Sequence, residues 1–112
     1  MRYLSIELKA FAAFRPHYFS DDEFQKFQQA LALKPRSGAV VSGTGGLKKV
    51  RWPDSRRGKG KRGGSRTLYY LFDERAEIWL FTVYGKDVKD DLTSKQRAVL
   101  RSLLDNERSK RL

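Results

Sequence analysis

Residues 65–84 have the sequence SRTLYYLFDERAEIWLFTVY, and this stretch decides the fold class. Aromatic and β-preferring residues fill two runs, Ser65 to Phe72 and Glu77 to Tyr84, on either side of the polar triplet Asp73-Glu74-Arg75. Two such runs around a short polar turn predict a β-hairpin. The remaining elements are assigned outward from this hairpin.

The N-terminal third predicts one strand followed by two helices. Tyr3 to Leu8 alternates like a strand, and a helix from about Lys9 to His17 then places aromatic side chains on one face. The second helix begins at Ser20-Asp21-Asp22-Glu23, which has the form of a capping box, and ends before Pro35. The apolar residues that follow helical spacing are Phe11, Phe14 and Tyr18 in the first helix and Phe24, Phe27 and Leu31 in the second.

The middle and the end of the chain complete the order β-α-α-β-β-β-α. Arg36 to Gly46 predicts an irregular crossing, Leu47 to Trp52 a strand and Pro53 to Gly64 a glycine-containing loop. A second capping box, Thr93-Ser94-Lys95-Gln96, begins a C-terminal helix that frays into the charged tail Asn106 to Leu112. Its apolar face is Val99, Leu100, Leu103 and Leu104. We therefore predict one α+β domain over residues 1–112, with a small, twisted, mainly antiparallel sheet, two N-terminal helices and one C-terminal helix.

Positive charge is concentrated in one part of the sequence. The chain of 112 residues carries a formal net charge of +11, and residues 48–66 alone hold nine basic residues against one acid, a net +8. The basic residues are Lys48, Lys49, Arg51, Arg56, Arg57, Lys59, Lys61, Arg62 and Arg66. Glycines between them let the backbone approach a ligand closely, and converging Lys and Arg side chains bind phosphates. The pattern favours a polyanionic partner over a solvated surface of mixed sign.

Composition excludes several other classes of protein. There is no cysteine, which excludes disulfides, a cysteine-based zinc site and a thiol nucleophile. His17 is the only histidine, which argues against a histidine metal site and a His-based triad. No apolar run approaches the roughly 18 residues of a membrane span, and the N-terminus has no signal-peptide pattern. We expect a cytoplasmic protein.

Several stretches, taken together and in order, resemble the RelE/HigB superfamily of type II toxins, most closely its HigB-like branch. They are Gly43 to Arg51, Gly58 to Arg66, Leu68-Tyr69-Tyr70, Tyr84-Gly85-Lys86 and Asp91-Leu92, together with the helix that begins at Ser20. The predicted element order also matches. The resemblance implies a RelE-like fold and a ribosome-dependent mRNA endonuclease that cuts in the ribosomal A site by attack of the RNA 2′-hydroxyl, without a metal or cofactor. It also implies inhibition by a cognate antitoxin of a helix-turn-helix, HigA-like type. The toxin would contact operator DNA only indirectly, through this antitoxin.

The resemblance also implies roles for individual residues. Arg66 would neutralise charge developing on the scissile phosphate, and Tyr84 would orient or stack a base. Lys86 would act as an acid or a charge stabiliser, and Lys59 or Lys61 as a general base. The residues expected to bind RNA are Lys48, Lys49, Arg51, Arg56, Arg57 and Arg62.

Two alternatives remain open from sequence. The same basic groove would serve a non-catalytic RNA- or ribosome-binding module. A catalytically silent relative would act only as an antitoxin partner or DNA co-repressor. Growth arrest with 5′ ends inside translated codons would separate the enzyme from both.

Overall fold

A computed structural model describes residues 2–53, 64–85 and 92–111. Within them the elements are β1 (Leu4–Glu7), α1 (Lys9–Tyr18), α2 (Asp21–Leu33), β2 (Ala39–Val40), β3 (Lys48–Trp52), β4 (Ser65–Phe72), β5 (Glu77–Gly85) and α3 (Ser94–Arg111). A 3-10 turn, Asp73–Arg75, joins β4 to β5. The predicted α+β class and the hairpin are confirmed.

The strands form one sheet in the order β1-β5-β4-β3-β2, in which β1 runs parallel to β5 and the other pairs are antiparallel. Pairing along β4 and β5 is interrupted once. Leu68 is paired with Thr82, whereas Tyr69 is paired with Leu80, so Phe81 is an extra residue on β5. Such a one-residue insertion is a β-bulge.

The sheet is covered on both faces. Helices α1 and α2 pack on one face, where Phe11 and Phe27 meet Tyr69 and Leu80 in one apolar cluster. Helix α3 packs on the opposite face, where Leu104 lies in a second cluster with Leu68, Trp79 and Phe81. Residues of β4 therefore alternate between the α1/α2 face and the α3 face.

Both predicted capping boxes are present. Ser20 Oγ accepts a hydrogen bond from the Glu23 N–H at 3.2 Å. At the start of α3 the arrangement is reciprocal. The Gln96 N–H donates to Thr93 Oγ1 at 3.1 Å, and the Thr93 N–H donates to Gln96 Oε1 at 2.9 Å. These bonds satisfy backbone donors that the first turn of a helix leaves without partners.

Tyr69 fixes the connection from α2 to the sheet. Its buried hydroxyl donates to the Pro35 carbonyl at 2.7 Å and accepts from the Gly38 N–H at 3.0 Å. A Cβ on Gly38 would lie only 2.7 Å from the Tyr69 Oη, so glycine is required for this close approach.

Two predictions about the elements are wrong. The predicted irregular crossing, Arg36 to Gly46, contains β2, because Ala39 and Val40 pair with Lys49 and Lys48 at the sheet edge. The C-terminal helix does not fray at Asn106 but continues to Arg111, which pairs with Glu107 at 2.8 Å. The Arg111 guanidinium also lies 5.3 Å from the centre of the Trp79 ring, which holds the last turn on the sheet.

The predicted apolar faces are only partly buried. Phe11 is buried in α1, whereas Phe14 is 52% exposed. In α3 Leu104 is buried, whereas Val99 and Leu103 are 54% and 50% exposed. No helix in the described ranges is long and apolar enough to cross a membrane.

Candidate functional site

Arg66 lies at the centre of a row of three side chains that crosses the sheet. It is paired with Arg51 of β3 on one side and with Tyr84 of β5 on the other. Directly opposed residues project from the same face of a sheet, with neighbouring strands about 4.8 Å apart. Tyr84 belongs to the cluster on the α3 face, so the whole row faces α3. The sheet thus places two guanidinium groups and one phenol ring side by side.

The three members of this row differ in exposure. Arg66 is only 1% exposed, although its side chain ends in a guanidinium group. Its Nη1 donates to the Gly64 carbonyl at 2.9 Å. Arg51 is exposed and Tyr84 is half-buried. The guanidinium of Arg66 is therefore held in one place by the strand that carries it, whereas Arg51 can meet a ligand from solvent.

Strand β3 divides its basic residues between the two faces. Lys49 is paired with Leu68, on the face of Arg66 and Arg51. Lys48 is paired with Tyr69, which belongs to the cluster on the α1/α2 face. The structure therefore places Lys49 on the same face as the row that contains Arg51, and Lys48 on the opposite face.

The remaining predicted site residues lie outside the described residues. These are Lys86, Lys59 and Lys61 among the predicted catalytic groups, and Arg56, Arg57 and Arg62 among the predicted RNA-binding groups. The described residues that flank the two segments carrying them are mutual neighbours, because Ser65 is paired with Trp52 on one side and with Gly85 on the other. Arg66 follows Ser65 directly, at this same end of the sheet.

An apolar cavity of about 380 Å³ opens beside the row, between the sheet and the first turns of α3. Tyr84 and Leu68 form its sheet side, and Leu92, Val99 and Leu100 form its helix side. Thr82, Lys95 and Gln96 complete its lining, and the surface of the cavity is almost entirely apolar. Sequence reasoning missed Thr82 altogether and used Lys95 and Gln96 only as part of a helix cap. The only hint in the sequence that these residues approach Tyr84 was the short stretch of chain between Tyr84 and that capping box.

The histidine and the described carboxylates do not contribute to this row. His17 lies on α1, on the other face of the sheet, with its ring centre 5.4 Å from that of Tyr18. Within residues 2–53, 64–85 and 92–111, no three His, Asp or Glu side chains are grouped so that they could hold a metal ion. The chemistry that the described residues offer is cationic and aromatic.

The fold is RelE-like: a small mixed sheet with two helices on one face and a C-terminal helix on the other. The toxin RelE from E. coli, solved in the free state as a double mutant, has this fold with a TM-score of 0.58. The aligned region covers 90% of this chain and 98% of that one, at 19% sequence identity. No protein-family model matches the sequence.

Proposed function

We propose that this protein is the toxin of a type II toxin–antitoxin system, a metal-independent endoribonuclease that cuts translated mRNA in the ribosomal A site. The observation that carries the proposal is the buried Arg66 between Arg51 and Tyr84 on a basic face of a RelE-like sheet. A buried guanidinium beside an aromatic ring matches a phosphate linked to a base. The bond that such a site would break is the phosphodiester.

The proposed reaction needs no group that the protein lacks. The RNA 2′-hydroxyl attacks the adjacent phosphorus, the bond to the 5′-oxygen breaks, and a 2′,3′-cyclic phosphate results. Arg66 would stabilise the additional negative charge of the transition state. Electrostatic stabilisation of this kind is the largest single contribution to catalysis in many enzymes. Lys59 or Lys61 would accept the proton of the 2′-hydroxyl, and Lys86 would donate one to the leaving oxygen. Tyr84 would stack on a base.

RNA binding by the same face follows from its charge. Arg51 lies beside Arg66, and Lys49 projects from the same face of the sheet. Arg56, Arg57 and Arg62, which precede β4 in the sequence, would add to the basic surface. Ordinary ribonucleases use paired general acids and bases such as histidines. With one histidine on the other face, this protein would depend on the ribosome to position the mRNA.

The decisive test is substitution of Arg66. Arg66→Lys keeps the charge but loses the planar fork of donors, and Arg66→Gln removes the charge. We expect wild type to arrest growth on induction and to produce 5′ ends inside codons, and both variants to lose this activity.

Arg75→Ala is the matched control, because Arg75 is exposed at the opposite end of the hairpin. Thermal melting of each variant checks that the domain remains folded. Full cleavage by folded Arg66→Gln would disprove the catalytic role.

A non-catalytic RNA- or ribosome-binding module is the second candidate, because a basic sheet face binds RNA whether or not it cuts it. On that hypothesis wild type protects or occupies ribosomes and leaves mRNA intact. Mapping 5′ ends after induction separates the two, since only the enzyme creates new ends.

A cytoplasmic antitoxin partner is supported by an apolar groove between α1 and α3. The groove has a volume of about 520 Å³. Its apolar lining residues include Leu8, Phe14, Phe81 and Leu103, and Lys9 and Lys110 also line it. Exposed apolar patches with a polar rim are typical of protein interaction sites. Co-purification with the product of the neighbouring gene tests the partner. A Phe14→Glu, Leu103→Glu variant should then escape neutralisation while it still cleaves mRNA.

A further inference from the structure

Two cavities lie next to each other along one flank of α3. Val99 lines the cavity beside Tyr84, and Leu103 lines the groove between α1 and α3, one turn further along the same flank of the helix. On the sheet side, Thr82 lines the first cavity and its neighbour Phe81 lines the second. The two cavities therefore adjoin on both walls and form one surface, which we call the α3 channel.

The α3 channel gathers apolar side chains that the fold leaves exposed. Phe14, Val99 and Leu103 all line it, and each is about half exposed. The surface of both cavities is predominantly apolar. Apolar side chains that are grouped in one groove, rather than scattered singly, mark an interaction site. We therefore expect a partner to cover the channel.

Positive charge borders the α3 channel at both ends. Lys95 lines it at the start of α3, and Lys9 and Lys110 line it between α1 and α3, where all three side chains are exposed. Among the described lining residues the one acid is Glu107, which is paired with Arg111 at 2.8 Å. A partner with acidic groups beside its apolar face is complementary to this border. A second copy of this chain is not, because it carries the same net charge of +11.

The apolar lining favours a helical partner over an extended one. An extended segment that enters the channel brings backbone N–H and C=O groups that need partners, and apolar walls supply few of them. A helix satisfies these groups internally and lays one apolar stripe into a groove. From Lys95 to Lys110 the axis of α3 rises about 22 Å, which is the length of a helix of about 15 residues.

One end of the α3 channel lies beside the row that contains Arg66. Tyr84 lines the channel and is the direct cross-strand partner of Arg66. Leu68, also in the lining, is two residues after Arg66 and projects from the same face of β4. A helix that fills the channel therefore covers the Tyr84 ring and keeps RNA away from it.

We propose that the α3 channel binds an acidic amphipathic helix of the antitoxin, and that this helix inhibits the protein by covering Tyr84 beside Arg66. The proposal rests on the proposed function for the identity of the partner as an antitoxin. It adds the chemistry of the inhibiting segment and the way in which it acts, which is direct exclusion of RNA from the site.

The test uses this protein and the purified product of the neighbouring gene. Val99→Glu places a negative charge in the channel, close to its Tyr84 end. Val40→Glu is the matched control, because Val40 is an exposed valine at the sheet edge, outside the channel lining. Calorimetry gives the dissociation constant of each complex, first alone and then with single-stranded RNA at about ten times its own dissociation constant. Thermal melting of each variant checks that it is folded.

We expect Val99→Glu to weaken the complex about tenfold or more, because a buried carboxylate would face apolar walls and an acidic partner. Val40→Glu should bind like wild type. RNA should weaken the wild-type complex about tenfold, since both ligands need Tyr84. An unchanged dissociation constant in Val99→Glu overturns the proposal, and so does one that RNA leaves unchanged. The absence of any complex, or self-association that Val99→Glu abolishes, also overturns it.

Cleavage of translated mRNA is measured in parallel, so that the channel and the proposed function can fail separately. Cleavage by a protein whose complex is insensitive to Val99→Glu means that the channel is wrong and the function stands. A complex that depends on Val99 and excludes RNA, without any cleavage, supports the channel and contradicts the endonuclease.

Discussion

Arg66 and Tyr84 are direct cross-strand partners, and both project from the α3 face of the sheet. Adjacent strands hold them about 4.8 Å apart, independently of any loop. The guanidinium proposed to bind phosphate and the ring proposed to stack on a base are thus carried by backbone positions whose separation the sheet itself sets. Substitution can remove either group and leave the other in place.

Replacing Tyr84 separates the work of its ring from that of its hydroxyl. Tyr84→Ala should lower single-turnover cleavage on translating ribosomes by about 5- to 150-fold, the equivalent of 1–3 kcal/mol for one stacked base. Tyr84→Phe keeps the ring and should retain most of the rate. If folded Tyr84→Phe were as slow as Tyr84→Ala, the hydroxyl rather than the ring would carry the effect.

Arg51 and Lys48 form a natural comparison for RNA binding, because they lie on opposite faces of β3. Arg51→Gln should weaken binding of single-stranded RNA and reduce the slope of log affinity against log salt by about 0.7, because one phosphate is no longer neutralised. Lys48→Gln removes the same charge from the other face and should leave the slope nearly unchanged. The measurement is filter binding over a series of salt concentrations. An equal reduction in both variants would show that the RNA does not distinguish the faces.

Tyr69 should make stability depend on alkaline pH. Burial raises the pKa of its hydroxyl above the ordinary value of about 10. The folded state then holds this proton more tightly than the unfolded state, so the stabilisation is complete below pH about 10 and is lost as the pH rises through the raised pKa. Tyr69→Phe should therefore show a shallower decline above pH about 10.

The same variant should also be less stable at neutral pH, by about 1–3 kcal/mol, because it leaves the buried Pro35 carbonyl and Gly38 N–H without the Tyr69 hydroxyl. Urea unfolding at a series of pH values provides both measurements. Parallel curves for wild type and variant above pH about 10 would show that other groups cause the alkaline loss.

Two buried threonines should respond to valine in opposite directions. The Thr67 hydroxyl is buried and has no hydrogen-bond partner among the described residues. Thr67→Val removes the cost of burying an unpaired hydroxyl and should raise the free energy of unfolding by about 1 kcal/mol.

Thr44 is equally buried, but its hydroxyl donates to the Val41 carbonyl at 2.7 Å and accepts from the Leu47 N–H at 3.1 Å. Thr44→Val should lower the free energy of unfolding by about 1–3 kcal/mol. Urea unfolding tests both, and a loss of stability in Thr67→Val would contradict the unpaired hydroxyl.

Local signals in the sequence predicted the regular elements well. The two capping boxes located the starts of α2 and α3, and the two runs around Asp73-Glu74-Arg75 located the hairpin. These signals depend on residues close together in the chain. The pairing of Arg66 with Arg51 depends instead on the register of strands that are distant in sequence, which composition does not encode.

The misassigned positions have the same cause. The two residues of β2 are strand only because β3 lies beside them, and the last turn of α3 persists because Arg111 reaches Trp79 and Glu107. The exposed Phe14 has helical spacing but lies over the groove between α1 and α3, where the described chain supplies no covering element. Tertiary contacts decide each of these cases.

The extra residue Phe81 has a consequence for the whole site. Side chains alternate along a strand, so odd- and even-numbered residues exchange faces at an insertion. Had the same residues paired without the bulge, Tyr84 would oppose Ser65 and point towards α1 and α2 with Leu80. Deleting Phe81 would instead remove the bulge and leave Tyr84 opposite Arg66, because the ladder would then run without interruption from Leu80 to Tyr84. The bulge is therefore what lets a strand with one extra residue keep the ring beside the guanidinium, so the arrangement depends on the position of this irregularity rather than on the side chain of Phe81.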